Sequence, residues 1–278
     1  MTQYPLFCAG IPITVTIQNG NYDQKFLDYF NAKPMAEPTG IRILVTIIQE
    51  LPNDHNSISN KVPIVTLSNR QLTVIHPFYK GKFNLDQEAG MVLVVGFYAL
   101  AAFLRLIVSV IIVERGGLAI HSSCILRNGK AHIFSGPSGY GKSTIAKLTE
   151  NSLLYSDEVT FVRKDETGIF SVFHSPFRSE LYTDPQKATS NILMFFIYQD
   201  SRTYLQPISQ TEAIFKMLPN IFFPILARNP YEKKIFQLCC DFLEQVKPMI
   251  MHFRKNNFFW RCIDEQFGSF STKPGHAH

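Results

Sequence analysis

Along the first third of the chain, apolar and polar positions alternate with a period of two. Beyond it the apolar runs lengthen and the spacing turns helical. Ile11–Ile17 sets isoleucine and valine against proline and threonine, as a half-buried strand does, and Gln18-Asn19-Gly20-Asn21 supplies a turn behind it. Ile41–Ile48 is rich in β-branched residues, and Lys61–Leu67 and Gln71–His76 predict further short strands, joined by links carrying Pro, Asn, Asp and Gly. Residues 1–90 are thus expected to form a strand-rich N-terminal domain, with a second domain over 91–278. Asp54 and His55 fall in one of the links and read as solvated turn residues.

Met91–Val113 is 23 residues long and almost wholly apolar, the length needed to cross a bilayer. Three features argue against a span. Arg105 stands near its middle, Gly96 divides a β-branched half (Met91–Val95) from a helix-like half (Tyr98–Val113), and no basic flank follows before His121. A buried strand followed by a core helix is expected, stopped by Glu114-Arg115-Gly116-Gly117.

Leu118–Leu126 and Ala131–Ser135 read as two strands of a hairpin turning at Arg127-Asn128-Gly129-Lys130. A helix is expected over Ser143–Asn151, then a strand Leu153–Val159 ending in acids. Thr160–Lys164 and Gly168–Phe173 alternate around a turn at Asp165–Gly168. Ile192–Tyr198 is a buried strand, Thr211–Met217 a short helix and Tyr231–Gln245 a longer one after Asn229-Pro230. Val246–Phe253 closes as a strand, Phe258–Phe267 as a helix, and Ser269–His278 is a frayed tail. The mixture predicts an α/β fold with α+β character.

Composition narrows the function classes. Of 278 residues 46% are hydrophobic and 18% charged, a globular balance with material for a sizeable core. The net charge of +5 comes from scattered residues without a basic run, so neither nucleic acid nor a membrane is expected as partner. Five cysteines without regular spacing suit a reducing compartment, and no charged segment with an apolar core stands at the N-terminus; a cytoplasmic location is expected.

The chemistry concentrates at Gly136-Pro137-Ser138-Gly139-Tyr140-Gly141-Lys142-Ser143-Thr144, which fits the phosphate-binding pattern G-x4-G-K-[ST]. Glycines let consecutive backbone amides turn inward around a polyphosphate. Lys142 would reach its terminal phosphates and the Ser143 hydroxyl a Mg2+ ion. The strand before and the helix after give the motif its required context. Asp157, at the end of the next strand, is the candidate for accepting a proton and holding Mg2+, with Glu158 beside it as a second metal candidate. His121, on the strand hairpinned to the one that delivers the loop, is a weaker candidate, since a lone histidine in an apolar strand is more often structural; His132 reads as structural. Arg178 could stabilise a transferring phosphate and Glu180 support a metal, with a salt-bridged surface turn as the equal alternative.

His121 on its strand, the hairpin, the loop, a short helix and Ser156-Asp157-Glu158 close behind Lys142 together resemble the C-terminal domain of HPr kinase/phosphorylase and its relatives. That group has the phosphoenolpyruvate carboxykinase-like nucleotide-binding fold. The resemblance covers roughly residues 97–265, tightly only 117–162. The apolar helix before Gly116-Gly117, Ser175-Pro176-Phe177 and Phe258-Phe259-Trp260 are similar to the shorter HPr-kinase-related proteins, including serine kinases of lasso-peptide clusters. It implies a Mg-ATP-dependent kinase acting on a serine hydroxyl, with Asp157 as base, His121 assisting, and Lys142 and Ser143 on phosphate and metal. Thr144 stands where the family has Glu, Asp157-Glu158 stands where it has two Asp, and neither its second signature nor its docking and hexamer element is present. HPr as substrate and the reverse reaction are therefore not carried over. The expected acceptor is a Ser/Thr hydroxyl of a peptide or protein, with free serine-like small molecules as one alternative and a nucleotide-binding regulatory module without turnover as another; a homo-oligomer is left open.

Overall fold

The computed structural model describes residues 2–18, 29–30, 40–49, 51, 62–149, 153–175, 177, 188–224 and 231–268. It is a mixed α/β fold built on two mixed sheets. The first contains β1 (Thr2–Cys8), β2 (Ile11–Ile17), β3 (Ile41–Ile47), β4 (Ile64–Ser68), β5 (Gln71–His76), β6 (Tyr79–Asn84) and β7 (Ala89–Val94), in the order β1-β2-β3-β7-β6-β5-β4. β3 runs parallel to β2 and β7, and the remaining pairs are antiparallel. Alternation is clean where one face is covered: Tyr79, Gly81 and Phe83 of β6 are buried while Lys80 and Lys82 point outward.

Gly96, with φ of 85°, turns the chain from β7 into α1 (Phe97–Glu114). This helix is long and apolar enough to cross a membrane by length and composition, but 78% of it is buried inside the protein. It packs on β6 and β7 of the first sheet and on β8 of the second. Being buried on both sides explains its nearly uniform apolarity, with Arg105 and the terminal Glu114 its only charges. Leu104, Ile107, Val110 and Ile112 are at most 2% exposed, and each contributes about 1.5–3 kcal/mol relative to an exposed position. The expected division into strand, Gly96 and helix is what the chain adopts.

The second sheet holds β8 (Gly117–Arg127), β9 (Lys130–Ser135), β10 (Leu153–Ser156), β11 (Val159–Lys164), β12 (Phe170–Phe173), β13 (Ile192–Gln199), β14 (Tyr204–Pro207) and β15 (Met249–Phe253). Its order is β12-β11-β8-β9-β13-β15-β14, with β10 also paired to β8. β9, β13 and β15 are mutually parallel. Helices cover both faces. α1, α3 (Gln210–Met217) and α4 (Tyr231–Gln245) share one core, and α2 (Lys142–Lys147) and α5 (Phe259–Phe267) pack with Phe134, Phe195 and Phe253 in the other.

Three expectations are corrected. The helix predicted over Ser143–Asn151 is only six residues long, because Leu148 caps it. The strand predicted over Leu153–Val159 breaks at Asp157-Glu158, because two separate stretches of β8 pair with its halves. The closing strand starts at Met249, since α4 runs to Gln245 and Val246 extends it with a further backbone bond to Phe242. Asp54, His55, Arg178, Glu180, Asn229-Pro230 and the tail Ser269–His278 lie outside the described residues.

Candidate functional site

The site is organised by the length of β8. Along one edge, residues 117–121 pair with β11 and residues 124–126 with β10; along the other, residues 122–127 pair with β9. β10 and β11 are thus one broken strand lying against β8, and the break falls at Asp157 and Glu158. Ser122 marks its level, since its amide donates to the Glu158 carbonyl at 3.1 Å. Ser122 is also the register partner of Ser135, the last residue before the glycine loop. Asp157 and the start of the loop therefore sit at the same height on opposite edges of β8. Asp157 is 8% exposed.

The same junction carries a buried hydroxyl network. The Ser122 hydroxyl bonds the Thr160 hydroxyl at 2.7 Å, which bonds that of Ser156 at 2.5 Å. Ser135 donates to the His121 carbonyl at 3.2 Å and Ser123 to the Lys142 carbonyl at 3.3 Å. All five are buried. Satisfied buried hydroxyls fix geometry, because a shift would strand a polar group without water. Ser and Thr inside otherwise apolar strands are the sequence signal for this network.

The loop itself exposes Pro137, Ser138 and Gly139, half-buries Tyr140 and buries Gly136. Gly141 has φ of 104°, and a Cβ there would lie 2.7 Å from the Phe253 ring, so conformation and space both demand glycine. Gln199, at the end of β13, donates to the Gly139 carbonyl at 3.0 Å and ties the loop's tip to the sheet. Ser143 is exposed and Thr144 half-buried at the start of α2.

Lys142 is only 7% exposed, and its ammonium donates to the carbonyls of Gly136 at 2.7 Å and Pro137 at 3.1 Å. Among the described residues no carboxylate lies within ion-pair distance of it. Burial lowers its pKa below the ordinary lysine value. A buried cation whose partners among the described residues are all carbonyl dipoles gains strongly from an anion brought to it. His121 is half-buried. Its pKa is lowered first by burial and then by the Lys142 ammonium, while the Glu158 carboxylate opposes both. Its imidazole therefore lies within the field of both groups and is held neutral near pH 7.

Glu158 turns toward α1, where its Oε1 meets Arg105 Nη1 at 2.6 Å. The Arg105 guanidinium also lies 5.7 Å from the centre of the Phe177 ring. In the sequence this arginine was only an argument against a membrane span; in the fold it links the core helix to the acid turn. A single charge inside an apolar helix was the signal. His132 lies away from the loop, against Trp260 with ring centres 4.9 Å apart, as a structural residue would. The fold thus brings together Gly136–Thr144, Asp157, Glu158 and His121.

The donor set suits Mg2+ only in part by itself. Among the described residues no group of three or more His, Cys, Asp or Glu could hold a metal. Mg2+ on a nucleotide, however, takes most of its ligands from phosphate and water and needs only one or two from protein. The Ser143 hydroxyl and the Asp157 carboxylate are of that kind.

A family profile described as SynChlorMet cassette protein ScmC matches residues 95–222, under half of the 278-residue chain. The matched stretch begins just before α1 and runs through β14 and α3, so it includes Arg105, His121, the glycine loop and Asp157. No curated protein matches the chain.

Proposed function

We propose that this chain is a Mg-ATP-dependent kinase that moves the γ-phosphate to a serine or threonine hydroxyl of a peptide or protein. In this reading the second sheet carries an HPr-kinase-like phosphate-loop core. The observation that carries it is the shared height of Asp157 and the glycine loop across β8. In this reading the Asp157 carboxylate accepts the proton and the buried, anion-seeking Lys142 receives the phosphate. Phosphoryl transfer demands that pairing, because it needs charge neutralised and a hydroxyl proton removed, with little other work for the protein.

The loop amides and Lys142 hold the polyphosphate. Mg2+, where bound, would be held by Ser143 and Asp157 and would supply charge neutralisation to the phosphates. The acceptor oxygen attacks the γ-phosphorus as its proton passes to the Asp157 carboxylate, and the bond from phosphorus to the β–γ bridging oxygen breaks, releasing ADP. Neutral His121, beside Lys142, donates or accepts a hydrogen bond at the transferring group. Glu158, engaged by Arg105, anchors the turn that aims Asp157 rather than serving as a metal ligand. All five cysteines are free thiols, which fits a reducing, cytoplasmic setting.

Incubation of the full chain with γ-labelled ATP, Mg2+ and either a mixture of Ser/Thr-containing peptides or free serine tests this reading. Label on peptide is the expected result. Label on free serine alone would make the chain a small-molecule kinase, and ATP binding with no labelled acceptor would make it a regulatory module.

A further inference from the structure

The first sheet has one face packed and one open. Its inner face lies against α1, so closely that a Cβ at Gly81 would stand 2.6 Å from the Phe103 ring. The solvated face of such a sheet ordinarily carries polar side chains. Here it also carries apolar ones. Met91 of β7 is 61% exposed and Ile64 of β4 is 50% exposed. Register sets Leu44 beside Met91, with Leu93 two residues further along the same face, and Ile75 beside Ile64. Two apolar strips, one on β3 and β7 and one on β5 and β4, thus run along the open face. Between them β6 places two lysines. Lys82 stands between Met91 and Thr73, Lys80 between Leu93 and Ile75, and both are exposed. Arg42 of β3 is exposed on the same face.

The charge on this face has one sign. The strands β3, β4, β5, β6 and β7 contain no Asp or Glu. The carboxylates of the β6–β7 turn are engaged elsewhere, Asp86 by Arg70 at 2.7 Å and Glu88 by Arg115 at 2.6 Å. An apolar sheet face is stabilised by a layer laid over it, and the second sheet has helices on both of its faces. We infer that the open face of the first sheet is the docking site for an acidic amphipathic helix of the acceptor peptide or protein. Such a helix carries carboxylates at i and i+4 with apolar residues on either side of them. The dimensions agree. Lys80 and Lys82 are about 6.7 Å apart along β6, and residues i and i+4 of a helix about 6 Å. The apolar strips lie about 10 Å apart across the sheet, the width of a helix. Apolar contact supplies the affinity, and the cations select the sign of the partner. Because α1 stands between this sheet and β8, the docked segment is remote from the hydroxyl that reacts. The assignment to the acceptor rests on the reading of the chain as a peptide or protein kinase.

Two fluorophore-labelled helical peptides, titrated with the full chain in the absence of nucleotide, test it. One carries glutamates at i and i+4 flanked by leucines, and the other carries lysines in place of the glutamates. The wild type is expected to bind the glutamate peptide at least about tenfold more tightly than the lysine peptide. A Lys80→Glu, Lys82→Glu double variant is expected to reverse that preference. Equal affinity of the wild type for the two peptides, or an unreversed preference in the variant, would overturn the docking face and leave the kinase reading intact. With the acceptor that the wild type labels from ATP, the variant is expected to show a KM raised roughly tenfold and an unchanged kcat. An unchanged KM would overturn the assignment of the face to the acceptor. Absence of any labelled acceptor would overturn the kinase reading and that assignment together. Wild-type dimers that the double variant dissociates would put a second copy of the chain on this face and overturn the proposal. Should the variant not fold, the comparison of the two peptides on the wild type decides.

Discussion

Arg105 Nη1 lies 2.6 Å from Glu158 Oε1, joining the middle of the core helix to the residue after the candidate base. Arg105 is 17% exposed and Glu158 49%, so the pair itself adds only about 1 kcal/mol to stability. Its effect on aim is larger, because misplacing a catalytic group by an ångström can cost on the order of 100-fold in rate. Arg105→Met is therefore expected to leave a folded chain whose phosphate transfer is lowered roughly 10- to 100-fold with nucleotide affinity unchanged. Single-turnover rates beside binding titrations check this, and an undiminished rate would remove Arg105 from the account.

Gly141→Ala should weaken nucleotide binding roughly 10- to 100-fold. The left-handed backbone and the Phe253 ring 2.7 Å from the new Cβ act together, and the strain is about 1–3 kcal/mol. Adding Phe253→Leu relieves the clash but not the backbone, so affinity should recover only in part. Full recovery would mean that conformation does not matter at this glycine.

His121 can be followed by NMR titration. Burial and the Lys142 ammonium both hold its pKa below the ordinary histidine value, and the Glu158 carboxylate pulls the other way. Lys142→Met should raise the pKa, because a repelling cation is gone; Glu158→Gln should lower it further, because an attracting anion is gone. A titration indifferent to both changes would show that His121 is not between these groups.

His132 gives a pH signature of stability. Burial depresses its pKa from 6.5 to about 4, so the unfolded chain binds a proton in that interval that the folded chain does not. Stability present above pH 6.5 is therefore lost as pH falls toward 4, by on the order of 3 kcal/mol. His132→Phe should flatten this part of the profile of denaturation midpoints against pH, and an unchanged slope would assign it to other groups.

Elements whose pattern and surroundings agree were legible in the sequence. β2, β5 and α4 have the predicted bounds, since alternation or a one-sided apolar stripe matches the burial found. β6 was not legible. Tyr-Lys-Gly-Lys-Phe-Asn has weak strand propensity, and it is extended because β5 and β7 pair with it on both edges. β1, with Pro5 inside it, and β14 were not legible either; each is an edge strand held extended by one neighbour, β2 and β15. In the candidate site, Lys142 and Asp157 stand out in the sequence because the glycine-loop motif sets residue types at fixed spacings, and the fold brings the loop and Asp157 to one height across β8. The Arg105–Glu158 pair does not, because it arises from helix packing between distant parts of the chain.

In the proposed reaction Asp157 accepts the acceptor's proton beside a phosphate held by the loop. Asp157→Asn keeps the shape and removes the base. With γ-labelled ATP, Mg2+ and the acceptor that the wild type labels, the variant should bind ATP within about threefold of wild type and transfer phosphate at least roughly 100-fold more slowly, the scale of a lost general base. Transfer at the wild-type rate by the Asp157→Asn chain would contradict the account.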